Sequence, residues 1–312
     1  MQKYFLAVDG GGSKTEFCLY QCADGEKKHF LAGSSNYKIA EADMERQVFL
    51  EGVENVIRST GISIDQIQGL VMGMSGVDSE ADYAHYMEIA LSTGIAKERI
   101  YLCNDSELAF YAKGTPPGLC MIAGTGSIAT GIAADRRKVR SGGWSNIISD
   151  EGSGTWIAIQ VLRALLRYCD GYGAYQPIFE TLRLHFQADS FETLPHILTR
   201  SGVQEVASGA KPITEAADAG DAYCADVVRQ AAQLVAEIAW SVYVKLEFEK
   251  EQAVDIVAAG SLFKCECFYR WFTEALSEKA AVKNLRFRGE VVSPVLGGIA
   301  LAKVLFGEAA ER

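Results

Sequence analysis

Two stretches of this chain follow one pattern, and any fold it adopts has to house both. Leu6-Ala-Val-Asp9-Gly10-Gly11-Gly12-Ser13-Lys14-Thr15 is an apolar run closed by an acid, three glycines and a hydroxyl, and the next residues, Glu-Phe-Cys-Leu-Tyr20, again read as a strand. Leu119-Cys-Met-Ile-Ala-Gly124-Thr125-Gly126-Ser127 and the following Ile-Ala-Thr-Gly-Ile-Ala repeat that order: apolar strand, turn of glycine and hydroxyl, second strand. Glycines without Cβ let backbone N–H groups crowd around an anion, so each turn reads as a phosphate cradle. The first is not a Walker loop, because the Gly-x-x-x-x-Gly-Lys spacing is missing and a strand, not a helix, follows. Taken alone, either loop is equally readable as an ordinary glycine hairpin turn.

The two copies are separated by Gly114-Thr-Pro-Pro-Gly118, where two prolines between glycines end any helix. A chain of 312 residues has room for a core on each side. We therefore expect an α/β protein of two domains, residues 1–116 completed by a C-terminal helix over about 296–312, and residues 117–295. Facing each other, their opening hairpins would form a cleft with one loop on either wall. A net charge of −10 argues against a nucleic-acid or anionic-membrane binder and leaves small molecules as partners. No stretch approaches a membrane span or a signal peptide, so the expected location is cytoplasmic.

Between the repeats the periodicity places helices at Glu41 to Ser59 and Ser79 to Ser92, with a strand from Ile67 running into Gly73-Met74-Ser75-Gly76. Arg99 to Asn104 reads as a strand and Ser106 to Lys113 as a helix, so Asp105 stands at the handover. Such an aspartate is either a catalytic acid or the helix N-cap. Beyond the second repeat, Ser141-Gly142-Gly143-Trp144 through Asp150-Glu151-Gly152-Ser153 is a small-residue loop with two acids, which act either as ligands or as first-turn charges of the following helix. Trp144 is a binding-loop aromatic or packing, and Ser75 a ligand or a turn residue. Tyr172 to Asp221 and a long helix over Ala222 to Lys250 read as core. Asp255 to Ala259 is a strand that ends in Gly260-Ser261, Leu285 to Val292 a late strand, and Pro294 onward the closing helix.

Eight cysteines are scattered, several inside apolar runs, and are expected as free thiols. Cys265-Glu-Cys267 and the Cys18/Cys22 pair lack a second pair or a histidine at zinc spacing, so neither reads as a metal site.

Taken in order, Asp9-Gly-Gly-Gly-Ser-Lys-Thr, Asn104-Asp105, Gly124-Thr-Gly-Ser127, Gly142-Gly-Trp144 with Asp150-Glu-Gly-Ser153, and Ala259-Gly-Ser261 resemble the N-acetylglucosamine kinases of the BadF/BadG/BcrA/BcrD-type ATPases, within the actin, Hsp70 and sugar-kinase superfamily. The resemblance covers nearly the whole chain. It implies two ribonuclease H-like domains flanking a deep cleft, with ATP and Mg²⁺ as cofactors and an N-acetylated amino sugar as substrate. It assigns Gly11, Gly12, Ser13, Lys14, Gly124 and Thr125 to the phosphates, Gly260 and Ser261 to the adenosine end, and Asp9 to Mg²⁺ through water. It gives Asn36, Ser75, Ser127, Gly143 and Asp150 to the sugar and Asp105 to the reacting 6-hydroxyl, as its base. A homodimer is expected as the assembly. Ile128 after the Gly-Thr-Gly-Ser turn and Tyr37-Lys38 after Asn36 depart from the pattern of some members, which keeps N-acetylmuramic acid and glucosamine beside N-acetylglucosamine as substrates.

Two other functions are compatible with the superfamily. An iron–sulfur ATPase that activates a 2-hydroxyacyl-CoA dehydratase or benzoyl-CoA reductase would need a cysteine set in a cluster loop, which is not evident. A sugar-sensing repressor would carry an N-terminal DNA-binding domain, for which there is no room before the first strand.

Overall fold

The computed structural model describes residues 2–307, except 13, 39–42, 146–147, 252, 281–283 and 292. The chain divides into two compact units, Met1–Lys113 with Val291–Arg312, and Gly114–Glu290. These divisions lie close to 116/117 and 295/296, the boundaries read from the sequence. The second falls at Glu290 because the late strand pairs within the second unit, whereas Val295, Ile299, Leu301 and Ala302 after it pack on the first.

In the first unit β1 (Tyr4–Gly10), β2 (Thr15–Gln21) and β3 (Lys27–Ala32) form an antiparallel meander. Helix α1 (Met44–Thr60) then leads to β4 (Ile67–Met74), α2 (Glu80–Leu91), β5 (Ile100–Cys103) and α3 (Asp105–Tyr111). β4 runs parallel to β1 and β5 parallel to β4, giving the strand order β3-β2-β1-β4-β5. The period of two in β1 sets both faces. Leu6 and Val8 pack with Phe17, Phe49, Val53 and Tyr86 on one side, while Phe5 and Ala7 meet Cys18, Val71 and Leu108 on the other.

The second unit repeats this sheet. β6 (Gly118–Ala123), β7 (Ser127–Ile132) and β8 (Lys138–Gly142) form the meander, and α4 (Gly154–Cys169) follows. The short helices α5 (Ile178–His185), α6 (Leu194–Arg200), α7 (Val203–Ser208) and α8 (Ala210–Asp218) precede the long α9 (Ala222–Lys245). β9 (Val254–Ala259) and β10 (Leu285–Glu290), joined through α10 (Glu266–Ala280), add in parallel, so the order is β8-β7-β6-β9-β10. Strand for strand this is the connectivity of the first unit, the ribonuclease H-like pattern. Helix α11 (Val295–Phe306) closes the first unit, where Val295 and Ile299 pack with Ala7 and Leu108. Glycine is required at 297, since a Cβ there would lie 1.8 Å from the carbonyl oxygen of Leu108 on α3. The residues 308–312 of the expected closing helix lie outside the described ones.

Three features differ from the sequence reading. β3 and β8 are edge strands whose charged residues, Lys27, Lys28, Lys138 and Arg140, mask the alternation that marks a half-buried strand. The Ser141-Gly142 part of the expected loop belongs to β8. The long helix stops at Lys245 rather than 250, with Glu247 in the left-handed region at φ 55. No helix among the described residues is long and apolar enough to cross a membrane.

Among the described residues, the second sheet carries one fully buried charge. Asp255 on β9 accepts from the Thr115 amide (3.0 Å) and from Arg286 Nε (2.8 Å), with Arg288 Nε 3.0 Å away, which ties the entry of β6 to β10. Removing the carboxylate strands these donors, so Asp255→Ala is expected to cost about 3 kcal/mol, read as a lower urea midpoint with an unchanged m-value.

Candidate functional site

In the first unit β1 carries Asp9 to the end of the sheet, paired through its backbone with Glu16 and Gly73. The side chain is half-buried, and burial pushes its carboxyl up to about 7, with Asp105 and Glu16 adding like charge and Lys14 opposing. Among the described residues, no side chain donates a hydrogen bond to it. In the turn, Gly11 N–H donates to the carbonyl of Lys14 (2.9 Å), so that amide serves the hairpin itself. Gly12 is half-buried and Lys14 is exposed, its ammonium 4.0 Å from Glu16. Ser13 lies outside the described residues.

The first sheet gathers a second group of predicted residues. Ser75 N–H donates to the carbonyl of Gly10 (2.7 Å), which fixes the end of β4 against the glycine turn. Buried Asn36 donates from Nδ2 to Ser75 Oγ (3.4 Å) and accepts at Oδ1 from Lys38 N–H (3.0 Å). Thr15 Oγ1 lies 2.7 Å from both the Gly33 carbonyl and Ser35 Oγ, which ties the Asn36 segment to β2. Tyr37 and Lys38, the departures noted in the sequence, anchor this segment. The Tyr37 hydroxyl bonds Asp82, its amide donates to Tyr86 Oη (3.2 Å), and Lys38 Nζ reaches Asp82 (3.1 Å) and Asp78 (3.3 Å).

Asp105 is the first residue of α3, and the cap is its neighbour: Asn104 Oδ1 accepts from the Ser106 amide (3.1 Å) and hydroxyl (2.7 Å). The alternative in which Asp105 is only the N-cap therefore falls. Burial pushes its carboxyl up to about 6 and Asp78 adds like charge, while the Ser106 and Asp105 amides and the Ser75 hydroxyl hold it down. Asn36 thus bonds Ser75, whose hydroxyl helps to hold the Asp105 carboxyl down.

In the second unit, the turn from Gly124 to Ser127 is locked from both sides. Gly124 N–H donates to Gly126 O (2.9 Å), Gly154 N–H to Gly124 O (2.7 Å) and Thr155 Oγ1 to Thr125 O (2.7 Å). The cap of α4 is Ser153, so Asp150 and Glu151 precede the helix and are not its first-turn acids. Asp150 is buried in the left-handed region at φ 57, and its Oδ1 has no hydrogen-bond partner among the described residues. Burial raises its carboxyl, while the nearby Ser127 and Gly143 amides hold it down, the Gly143 N–H being itself bonded to the Ser127 carbonyl (2.9 Å). Only glycine fits at 126, since a Cβ there would lie 2.4 Å from Oδ2. Ser127 spends its hydroxyl on the carbonyl of Glu151 (2.8 Å), and Gly143 rests on Ile128. Trp144 is 72% exposed, with the Arg140 guanidinium 4.0 Å over its ring, so it is not core packing. Glu151 is exposed.

A pocket of about 540 Å³ lies within the second unit, with Gly124, Thr125, Gly154 and Ser261 on one wall. Gly260 directly precedes Ser261. Helices α7 and α8 also line it, through Gln204, Ala207, Ala210 and Lys211, in a stretch that the sequence reading assigned to core. Small Ala207 and Ala210 stand there beside polar Gln204, Lys211 and Glu215, a mixture that reads as packing in the sequence.

Comparison with known proteins follows this geometry. The model of the BadF/BadG/BcrA/BcrD ATPase family matches residues 6–295. The chain is 30% identical over 280 residues to an N-acetylmuramic acid/N-acetylglucosamine kinase of Clostridium acetobutylicum, covering 88% of this chain and 90% of that one. It is 28% identical over 274 residues to the N-acetyl-D-glucosamine kinase of Dictyostelium discoideum, covering 83% and 85%. Its fold is shared with a solved Chromobacterium violaceum protein provisionally named an N-acetylglucosamine kinase (TM-score 0.74, 21% identity, 96% and 99% covered) and with the ROK hexokinase of Thermus thermophilus (TM-score 0.57, 16% identity, 99% and 100% covered). With its duplicated sheet, its glycine turns and a family match that runs from the first strand to the last helix, the chain belongs to the BadF/BadG/BcrA/BcrD ATPase family.

Proposed function

We propose that this protein is an ATP-dependent kinase that transfers the γ-phosphoryl group to the 6-hydroxyl of an N-acetylated amino sugar, N-acetylglucosamine or N-acetylmuramic acid. The observation that carries the sugar reading is the orphaned Oδ1 of Asp150. A buried carboxylate oxygen without a donor is costly, and a sugar hydroxyl supplies the missing bond. The names of the two curated relatives point to the same substrates.

In this reading Asp105 is the base. Phosphoryl transfer asks the protein mainly for alignment and charge compensation, and a carboxylate beside the attacking oxygen orients it and takes its proton as the bond to phosphorus forms. The Asn36–Ser75 pair supports that role, because the Ser75 hydroxyl lowers the Asp105 carboxyl and can also bond the sugar. Gly143 and Ser127 contribute through amides that lower the Asp150 carboxyl and favour its charged form. Gly11, Gly12, Ser13, Lys14, Gly124 and Thr125 are proposed to hold the phosphates, and Gly260 and Ser261 the adenosine end, in the pocket that Gly124, Thr125 and Ser261 line. Asp9, a half-buried hard-oxygen donor with Asp105 near enough to raise it, fits Mg²⁺, directly or through water. The ion would supply charge neutralisation on the transferred phosphoryl group.

The test is ADP release coupled to a spectroscopic readout, over N-acetylglucosamine, N-acetylmuramic acid, glucosamine and glucose, with the position of the phosphoester read by ³¹P–¹H NMR. Sugar-dependent ADP release with the N-acetylated sugars ahead of glucosamine, and a 6-phosphate product, is expected. Glucosamine ahead of both would replace the substrate, and ADP release indifferent to sugar would sink the reading.

A further inference from the structure

Beside the pocket of the second unit, three side chains from distant parts of the chain converge. Cys265 Sγ lies 3.3 Å from Cys267 Sγ and 3.4 Å from Asp218 Oδ1, and one donor atom from each of the three fits within a 4.8 Å span. Both thiols are buried, and Cys265 and Asp218 also line the pocket. The spacing of Cys265-Glu-Cys267 gave no sign of this, because the third group sits at the end of α8, 47 residues before Cys265.

We propose that Asp218, Cys265 and Cys267 form a binding site for a thiophilic divalent cation of the Zn²⁺ type. Metal–sulfur bonds of about 2.3 Å and a metal–oxygen bond of about 2.1 Å at tetrahedral angles place two sulfurs about 3.8 Å apart and sulfur and oxygen about 3.6 Å apart. The observed 3.3 and 3.4 Å are within about half an ångström of that triangle, so the cluster needs only a slight opening to take an ion. The carboxylate is already oriented: Cys267 N–H donates to Oδ1 (2.9 Å) and Glu266 N–H to Oδ2 (3.1 Å), the outer bonds that hold a ligating carboxylate in place. Binding replaces two S–H protons with two metal–sulfur bonds and releases those protons to solvent. The fourth position, left to water, opens on the pocket that Cys265 and Asp218 line. A disulfide between the two thiols would account for the sulfur pair but not for the carboxylate aimed at it.

The experiment titrates the full-length, reduced, metal-free protein with Cd²⁺ and follows the ultraviolet sulfur-to-metal charge-transfer band, with Zn²⁺ as competitor. One Cd²⁺ per chain, displaced by Zn²⁺, is expected, with the band lost in the Cys265→Ser/Cys267→Ser double variant and affinity lowered about tenfold or more in Asp218→Asn. A band that survives the double variant, an unaltered affinity in Asp218→Asn, or no band at all overturns the site. Should the double variant fail to fold, the wild type still decides: Zn²⁺ must shield Cys265 and Cys267 from alkylation in peptide mapping. Alkylation unaffected by Zn²⁺, or recovery of the two cysteines as a disulfide under the same conditions, overturns it equally.

Discussion

Asp105→Asn is expected to lower kcat by about 10³-fold while the KM for the sugar changes by less than about threefold. The substitution keeps the size of the side chain and leaves the Asn104 cap untouched, so α3 starts where it did. What disappears is the proton acceptor. Burial pushes the Asp105 carboxyl up to about 6, close to the range in which a general base is most effective. The base works only when ionised, so kcat/KM of the wild type should fall as pH drops through about 6, and the residual rate of Asp105→Asn should lack that limb. The same burial carries a stability cost whose sign is opposite to that of a paired carboxylate. A carboxyl raised from 3.8 to about 6 binds its proton more tightly in the folded chain than in the unfolded one, so the free protein gains stability as pH falls from about 6 towards 4. Asp9, raised to about 7, extends that window upward. Asp105→Asn should therefore melt at a higher temperature than the wild type at pH 8 and lose the advantage near pH 4. An inactive variant that is also less stable at pH 8 would mean that the residue is structural. A stable variant with near-normal turnover would remove it from the chemistry.

The repeated hairpins and the acids after them could be read from the residues, because the elements that carry them are central strands. β1, β6 and β9 are buried and, apart from Asp9 and Asp255, apolar, and each ends abruptly in small residues, a change of composition that local physics makes visible. The edge strands β3 and β8 were hidden by the same logic. A strand with one free edge tolerates lysine and arginine, so its sequence resembles a polar loop. Caps were the second difficulty. Asn104 and Asp105 are both good cap residues, as are Asp150 and Ser153, and only backbone placement decides that Asn104 and Ser153 take the role. That assignment relieves the two acids of the capping task, which strengthens their reading as functional groups. The α7–α8 wall of the pocket was illegible for a third reason. Small residues such as Ala207 and Ala210 serve close packing and an open groove equally well, and the sequence alone does not distinguish filled space from empty.

Asp150→Asn is the second large effect, and its direction follows from the two oxygens of one side chain. The Ser127 and Gly143 amides lower the Asp150 carboxyl from nearby, and Oδ1 has no partner among the described residues. An asparagine at 150 tolerates the left-handed backbone, at φ 57 in the wild type, as readily as aspartate does. With its carbonyl oxygen turned towards the two nearby amides, its NH₂ group takes the place of Oδ1, so a donor faces the sugar hydroxyl where an acceptor stood. A site built to accept a hydroxyl proton rejects its substrate strongly once that acceptor is gone, and kcat/KM for the sugar should drop by about 10³-fold or more, mostly through KM. Thermal unfolding separates this from a folding defect. Without sugar, the variant no longer buries an unpartnered charge and should unfold at or above the wild-type temperature. With saturating sugar the wild type should gain stability by mass action and the variant should not. If sugar raises both melting temperatures equally, Asp150 does not bind it, and the oxygen left unpartnered in the protein alone has another purpose.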